Sequence, residues 1–215
     1  AAEPQNPAAL YLRAAAQRKS GDSKAAVETL RQAVKLSGNV DLQLRDRMMT
    51  VREATLASGA GLKDAAILTL MAPFARGIAA NYAAMSGHRA LTDAIKKASE
   101  EGRTGDLMEL SSLSLTMVNQ FAKAPAPLMI DQLSENTWRI ATLKAMPGET
   151  EYGETGTTVA QQLEATIAKK ADLTESIKLS TISHEWIQQA SEAEVSRYVD
   201  TWLLHGELEA LKLIG

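Results

Sequence analysis

The chain has 215 residues and no cysteine, with 45% apolar and 23% charged residues. That is enough to bury a sizeable core, in an ordinary globular composition, and it excludes disulfides, thiolate nucleophiles and thiolate metal sites. A net charge of −3 gives no general pull toward nucleic acid or anionic lipid.

Only 4% of residues are aromatic and about one in six is alanine, the residue with the best helix propensity. The composition points to an all-α protein. Residues 1–110 carry a net +3 and residues 111–215 a net −6, an asymmetry compatible with head-to-tail self-association.

The opening Ala1-Ala2-Glu3-Pro4-Gln5-Asn6-Pro7 is small, polar and proline-containing. It reads as a mature chain just after signal-peptide cleavage, which places the protein in the periplasm or cell envelope as an expectation. Residues 1–6 should be extended. Asn6 is the expected N-cap of a first helix running from Pro7 to Lys19. A second helix follows from Ser23 to Leu36, with Ala26, Val27, Leu30, Ala33 and Val34 forming one apolar stripe; Gly38 suits its C-cap. A third helix is expected over 41–57. A fourth, Leu62–Met85, is nearly uncharged and should be central, with a kink at Pro73. Its most apolar part, Ala65–Ala75, is about 11 residues and stops before Arg76, whereas a membrane span needs about 20.

Ser86-Gly87 reads as a turn before a fifth helix, Arg89–Glu100. Further helices are expected over 106–123 and 128–145. In the former, Leu113 and Leu115 cannot share one helical face, so that helix should be buried on two sides or weakly formed. After an acidic, glycine-rich loop at 147–157, three S/T/D-x-x-E/Q signals mark helix starts at Thr158, Asp172 and Ser191. The last helix should run from Glu192 to Leu213. No segment alternates with period two, so no sheet is expected. About ten antiparallel helices, joined in hairpins within a single helical domain over residues 1–215, result.

Leu10 to Gly38 resembles one tetratricopeptide repeat, a 34-residue helix–turn–helix unit. Gly21 occupies the turn, Ala26 and Ala33 the small positions of the second helix, Leu30 its large position, and Leu10 the first-helix position usually held by Trp. Ala14 also fits, while Arg13, Gln17 and Gly38 depart from the pattern. No second copy of this quality follows: Leu110, Ser114 and Met117 occupy the diagnostic positions after Gly105. The resemblance implies a solenoid-like start over 7–38, continuing into a bundle, and protein or peptide binding on a face lined by the first helix. There it offers Tyr11, Ala15, Arg18 and Lys19. The asparagines with which some family members clamp a terminal carboxylate are absent.

Little else suggests chemistry. His88, His184 and His205 form no metal-binding spacing, and there is no nucleophile elbow, Walker loop or dinucleotide fingerprint. His88 reads as a helix-start residue. No catalytic, cofactor or metal residues are assigned. The loop P-G-E-T-E-Y-G-E-T-G-T reads first as a solvated connector; its alternatives are calcium binding by Glu149, Glu151 and Glu154 or presentation of Tyr152 to a partner. Trp138, Trp186 and Trp202 read as core anchors.

The leading expectation is a non-catalytic protein-binding or scaffold protein. The alternatives are a helical bundle holding a lipid or small apolar ligand near Pro73, and a hydrolase or lyase built on His184 and Glu185.

Overall fold

The structure, a computed structural model, describes residues 7–36, 44–72, 79–122, 128–152 and 156–214. Among them the chain forms ten α-helices: α1 (Ala8–Lys19), α2 (Ser23–Ala33), α3 (Leu44–Ala57), α4 (Leu62–Met71), α5 (Ala79–Glu100), α6 (Thr104–Ala122), α7 (Met129–Leu143), α8 (Val159–Gln189), α9 (Glu192–His205) and α10 (Glu207–Leu211). The only extended pairing among the described residues is an isolated bridge between Glu151 and Thr158. The protein is all-α, with neighbouring helices packed as hairpins.

The chain packs as two compact units, a division the sequence pattern does not announce. One comprises residues 1–40, 78–123 and 134–170, the other residues 41–77, 124–133 and 171–215.

The first unit is built on the α1/α2 hairpin. Gly21 makes the turn with φ of +88°, a left-handed conformation that only glycine adopts cheaply. Asp22 then caps α2, its carboxylate accepting from the Ala25 N–H at 2.9 Å. The seam expected from the sequence is buried: Ala14, Ala26, Leu30 and Ala33 are all fully shielded, against Leu91 and Ala98 of α5 and Met117 of α6. Small residues let the helix axes approach, and Leu30 fills the space between them.

Gly87 completes this packing. It lies inside α5 rather than in a turn, and it is buried. A Cβ added there would sit 3.1 Å from Leu30 Cδ2 and 3.3 Å from Met117 Cε. The expected turn at Ser86-Gly87 is therefore corrected: the glycine serves close approach, and α5 runs through it. The expected single helix over 62–85 is corrected with it, since α4 ends at Met71 and α5 has begun by Ala79. Pro73 and its expected kink, like Asn6, Gly38 and Glu154, lie outside the described residues.

Tyr11 is 1% exposed, and its hydroxyl donates to Gln120 Oε1 of α6. The Gln120 amide in turn donates to the carbonyls of Val34 at 3.1 Å and Leu36 at 3.0 Å, carbonyls that the end of α2 leaves without an intrahelical partner. One side chain thus ties α1 and the end of α2 to α6. Gln120→Ala is expected to cost about 1–3 kcal/mol, read as a lower urea midpoint with an unchanged slope.

α6 is buried on two sides, as the Leu113/Leu115 pattern suggested. Leu107, Leu110 and Met117 join the hairpin core, while Leu115 packs with Leu143, Met146 and Val159 in a second cluster. The buried hydroxyls of Ser114 and Thr142 satisfy each other at 2.7 Å.

The second unit contains α3, α4, α9 and α10 with parts of α7 and α8. Its core gathers Met48, Leu70, Tyr198, Val199, Trp202 and Leu203, and Trp202 meets Tyr198 edge-on at 6.0 Å. Ser191 and Glu194 form the expected capping box at the start of α9. The expected last helix is broken at Gly206, whose φ of +93° separates α9 from α10.

The Thr158 start is also realised, with Thr158 N–H donating to Gln161 Oε1 at 2.9 Å and Gln161 N–H to Thr158 Oγ1 at 3.3 Å. The Asp172 start is not. α8 runs unbroken through it for 31 residues, and Ser176 Oγ donates to the Asp172 carbonyl at 3.0 Å in mid-helix.

Candidate functional site

The sequence-derived partner residues occupy very different surroundings. Tyr11, expected on an open binding face, is corrected: it is core, tied to Gln120, and burial pushes its phenol well above the ordinary value. Ala15 is likewise buried. Arg18 is partly exposed and engaged, its guanidinium 3.2 Å from Asp93 of α5. Lys19 is exposed.

Tyr152 is half-buried. Its hydroxyl donates to Ser112 Oγ at 3.3 Å, its N–H to the Thr157 carbonyl at 3.3 Å, and its carbonyl accepts from the Gln162 amide. With Val159 N–H donating to Thr150 at 2.8 Å and Ala160 N–H to Gly148 at 3.0 Å, the described part of the 147–157 loop is pinned against α8. Its Tyr152 is a packing residue of the small cluster that holds Leu115 and Leu143.

A different set of residues makes a concave surface. On the first unit, α2, α5 and α6 enclose an open groove of about 550 Å³. Val27 of α2, Ala94 of α5 and Leu110 of α6 form its apolar floor. Around them stand Lys24, Arg31, Lys97 and Arg103 with Asp93 and Asp106, a lining of four cations and two anions. Helix geometry explains the grouping. Lys24, Val27 and Arg31 recur at i, i+3 and i+7 on α2, and Asp93, Ala94 and Lys97 at i, i+1 and i+4 on α5.

The lining charges are partly committed. Asp93 meets Arg18, and Asp106 accepts from Arg103. Arg31 meets Glu109 at 2.9 Å and Glu28 at 3.1 Å. Its guanidinium is held above its ordinary pKa by these two carboxylates, which outweigh its desolvation. Lys97 reaches Glu101 only at 3.9 Å, and no ion pair engages Lys24 among the described residues. Arg103 also meets Glu101 at 2.7 Å; Glu28, Glu101 and Glu109 do not themselves line the groove but partly neutralise the cations that do. The groove also receives the first residues of α2 and α6, whose N-termini carry partial positive charge.

A second, smaller cleft of about 360 Å³ lies between α3 and α9 in the other unit. It is lined by Met49, Arg52, Glu53 and Leu56 on one side and Asp200, Leu203 and Leu204 on the other.

Glu185 is exposed on α8, and the side chain of His184 lies outside the described residues. Among the described residues no three His, Asp or Glu side chains cluster as metal ligands, and no helix is long and apolar enough to cross a membrane.

Glu207 is a partly buried carboxylate whose pKa is raised. Desolvation raises its pKa against the opposing hydrogen bond from Met129 N–H, with Asp131 adding to the rise. At 2.8 Å from that N–H it satisfies the first residue of α7, a helix-capping role.

No family model, no curated protein and no solved structure matches this chain.

Proposed function

We propose that the protein is a non-catalytic binding protein whose helical-repeat-like first unit takes a segment of a partner protein in the α2/α5/α6 groove. The observation that carries this reading is the groove itself: an apolar floor of Val27, Ala94 and Leu110 under a rim in which cations outnumber anions. An apolar side chain lowered onto that floor loses water-exposed area, while carboxylates flanking it meet Lys24 and Lys97. The fitting partner segment is therefore short, with an apolar residue between acidic ones. The packed hairpin holds the groove in shape, so little ordering of the receptor opposes binding.

The test is selection of peptides from a displayed library on the purified protein, with affinities measured by fluorescence anisotropy. Selected peptides should be enriched in Asp and Glu around an apolar residue. Lys24→Glu together with Lys97→Glu, both surface changes that leave the core intact, should weaken their binding about tenfold or more, a loss of about 1.4 kcal/mol. Val27→Asp should abolish it. Peptides that bind both variants as they bind the parent would overturn the reading.

A further inference from the structure

The cleft of the second unit offers a surface of a different pattern. On α3, Met49, Arg52, Glu53 and Leu56 recur at i, i+3, i+4 and i+7, one continuous stripe. In this stripe Met49 is 39% exposed and Leu56 37%, with Leu204 of α9 beside them at 55%. Exposed apolar residues gathered along a cleft mark a contact surface more often than scattered ones do.

The stripe is symmetric about its midpoint. Met49 and Leu56 lie equally far from the point between positions 52 and 53, and the two central residues are opposite in charge. If a second α3 is laid antiparallel across this point, Met49 of each copy meets Leu56 of the other, and Arg52 of each meets Glu53 of the other. A surface complementary to itself in this way suits an isologous two-fold contact.

Asp200 at 2.5 Å and Ser196 at 3.2 Å hold the Arg52 guanidinium in one place at the cleft. We propose that this chain self-associates through α3, packed antiparallel on the α3 of a second copy, with Leu204 at the flank. The contact differs from the head-to-tail mode that the charge asymmetry suggests, and it is independent of the groove on the other unit. With three apolar side chains exposed per copy, the contact is small and the association weak and concentration-dependent.

The absence of cysteine makes a geometric test clean. Two variants, Met49→Cys and Leu56→Cys, each alter an exposed side chain and should fold as the parent does. Mixed at about 100 μM under mild oxidation, they should form a disulfide-linked dimer containing one chain of each. Either variant alone should not, because its two cysteines then stand about 10 Å apart along the helices, seven residues at the α-helical rise, and a disulfide needs Cα atoms within about 7 Å.

Sedimentation equilibrium supplies the second readout. The parent should show a rising average mass with concentration. Glu53→Arg, which sets like charges across the axis, should raise the concentration for half-association about tenfold or more. A parent that stays monomeric at every concentration, or linked dimers formed as readily by each cysteine variant alone as by the mixture, would overturn the proposal.

Discussion

Leu30→Ala should destabilise the protein by about 2–5 kcal/mol, the range for removing a large buried aliphatic side chain whose space cannot close. Leu30 is fully shielded and stands where α2, α5 and α6 converge, with one methyl directed at Gly87. The neighbours cannot relax into the gap easily, because the small residues Ala14, Ala26 and Ala33 already allow the helices as close as they come. Gly87→Leu probes the same point from the other side: it drives new atoms into the Leu30 and Met117 side chains, and overpacking of this kind costs about 1–3 kcal/mol.

The two positions should also be coupled. In the parent, Gly87→Ala gains helix propensity, about 1 kcal/mol, but crowds the Leu30 methyl at 3.1 Å. In the Leu30→Ala background the crowding is gone, so the same substitution should become stabilising, with a coupling of about 1 kcal/mol in a double-mutant cycle. Urea unfolding followed by circular dichroism reads all four proteins. A Leu30→Ala cost under about 0.5 kcal/mol would mean that the seam does not hold the hairpin, since surface changes alone account for that much.

The hairpin was legible because its signals are local. A turn glycine and small residues at helical spacing act within a few residues of one another, and so do the Ser191 and Thr158 capping pairs. What escaped the sequence depends on distant partners. Gly87 looks like a turn until Leu30 and Met117 come to meet it. Tyr11 looks like a surface aromatic until Gln120, 109 residues away, takes its hydroxyl. Asp172-x-x-Glu175 has the letters of a capping box, but no glycine or proline interrupts the preceding turn of α8. The helix therefore continues, and the side chains that cap elsewhere lie on its surface.

The groove escaped for the same reason. Lys24, Lys97 and Arg103 are ordinary surface cations until α2, α5 and α6 place them around Val27, Ala94 and Leu110. The first-helix face suggested by the repeat resemblance is occupied by the protein's own packing. The concavity opens instead on the second helix of the hairpin, toward the turn that starts it.

Acidification should loosen the protein well before its carboxylates become protonated, through His88. The sequence places this histidine at a helix start, but it sits inside α5, 4% exposed, with its ring stacked on Trp138 at 5.2 Å and 17°. Burial pushes its pKa down to about 4, and the backbone of Trp138 offsets only part of that effect. The folded state therefore favours the neutral ring, whereas in the unfolded chain the ring takes up a proton at about pH 6.5.

The linkage has a definite sign: the contribution is fully present above pH 6.5, and it falls as pH drops from 6.5 toward 4 because the unfolded state binds the extra proton. Over that window the loss approaches about 3 kcal/mol, with about 2 kcal/mol of it between pH 6.5 and 4.5. His88→Phe keeps an aromatic face against Trp138 and cannot titrate. Urea midpoints measured at pH 7.5, 6.5, 5.5 and 4.5 should therefore fall more steeply for the parent than for the variant. The difference should open below pH 6.5, ahead of the carboxylate titrations that both proteins share. Parallel pH profiles would show that the His88 ring takes up its proton in the folded state as readily as it does in the unfolded chain.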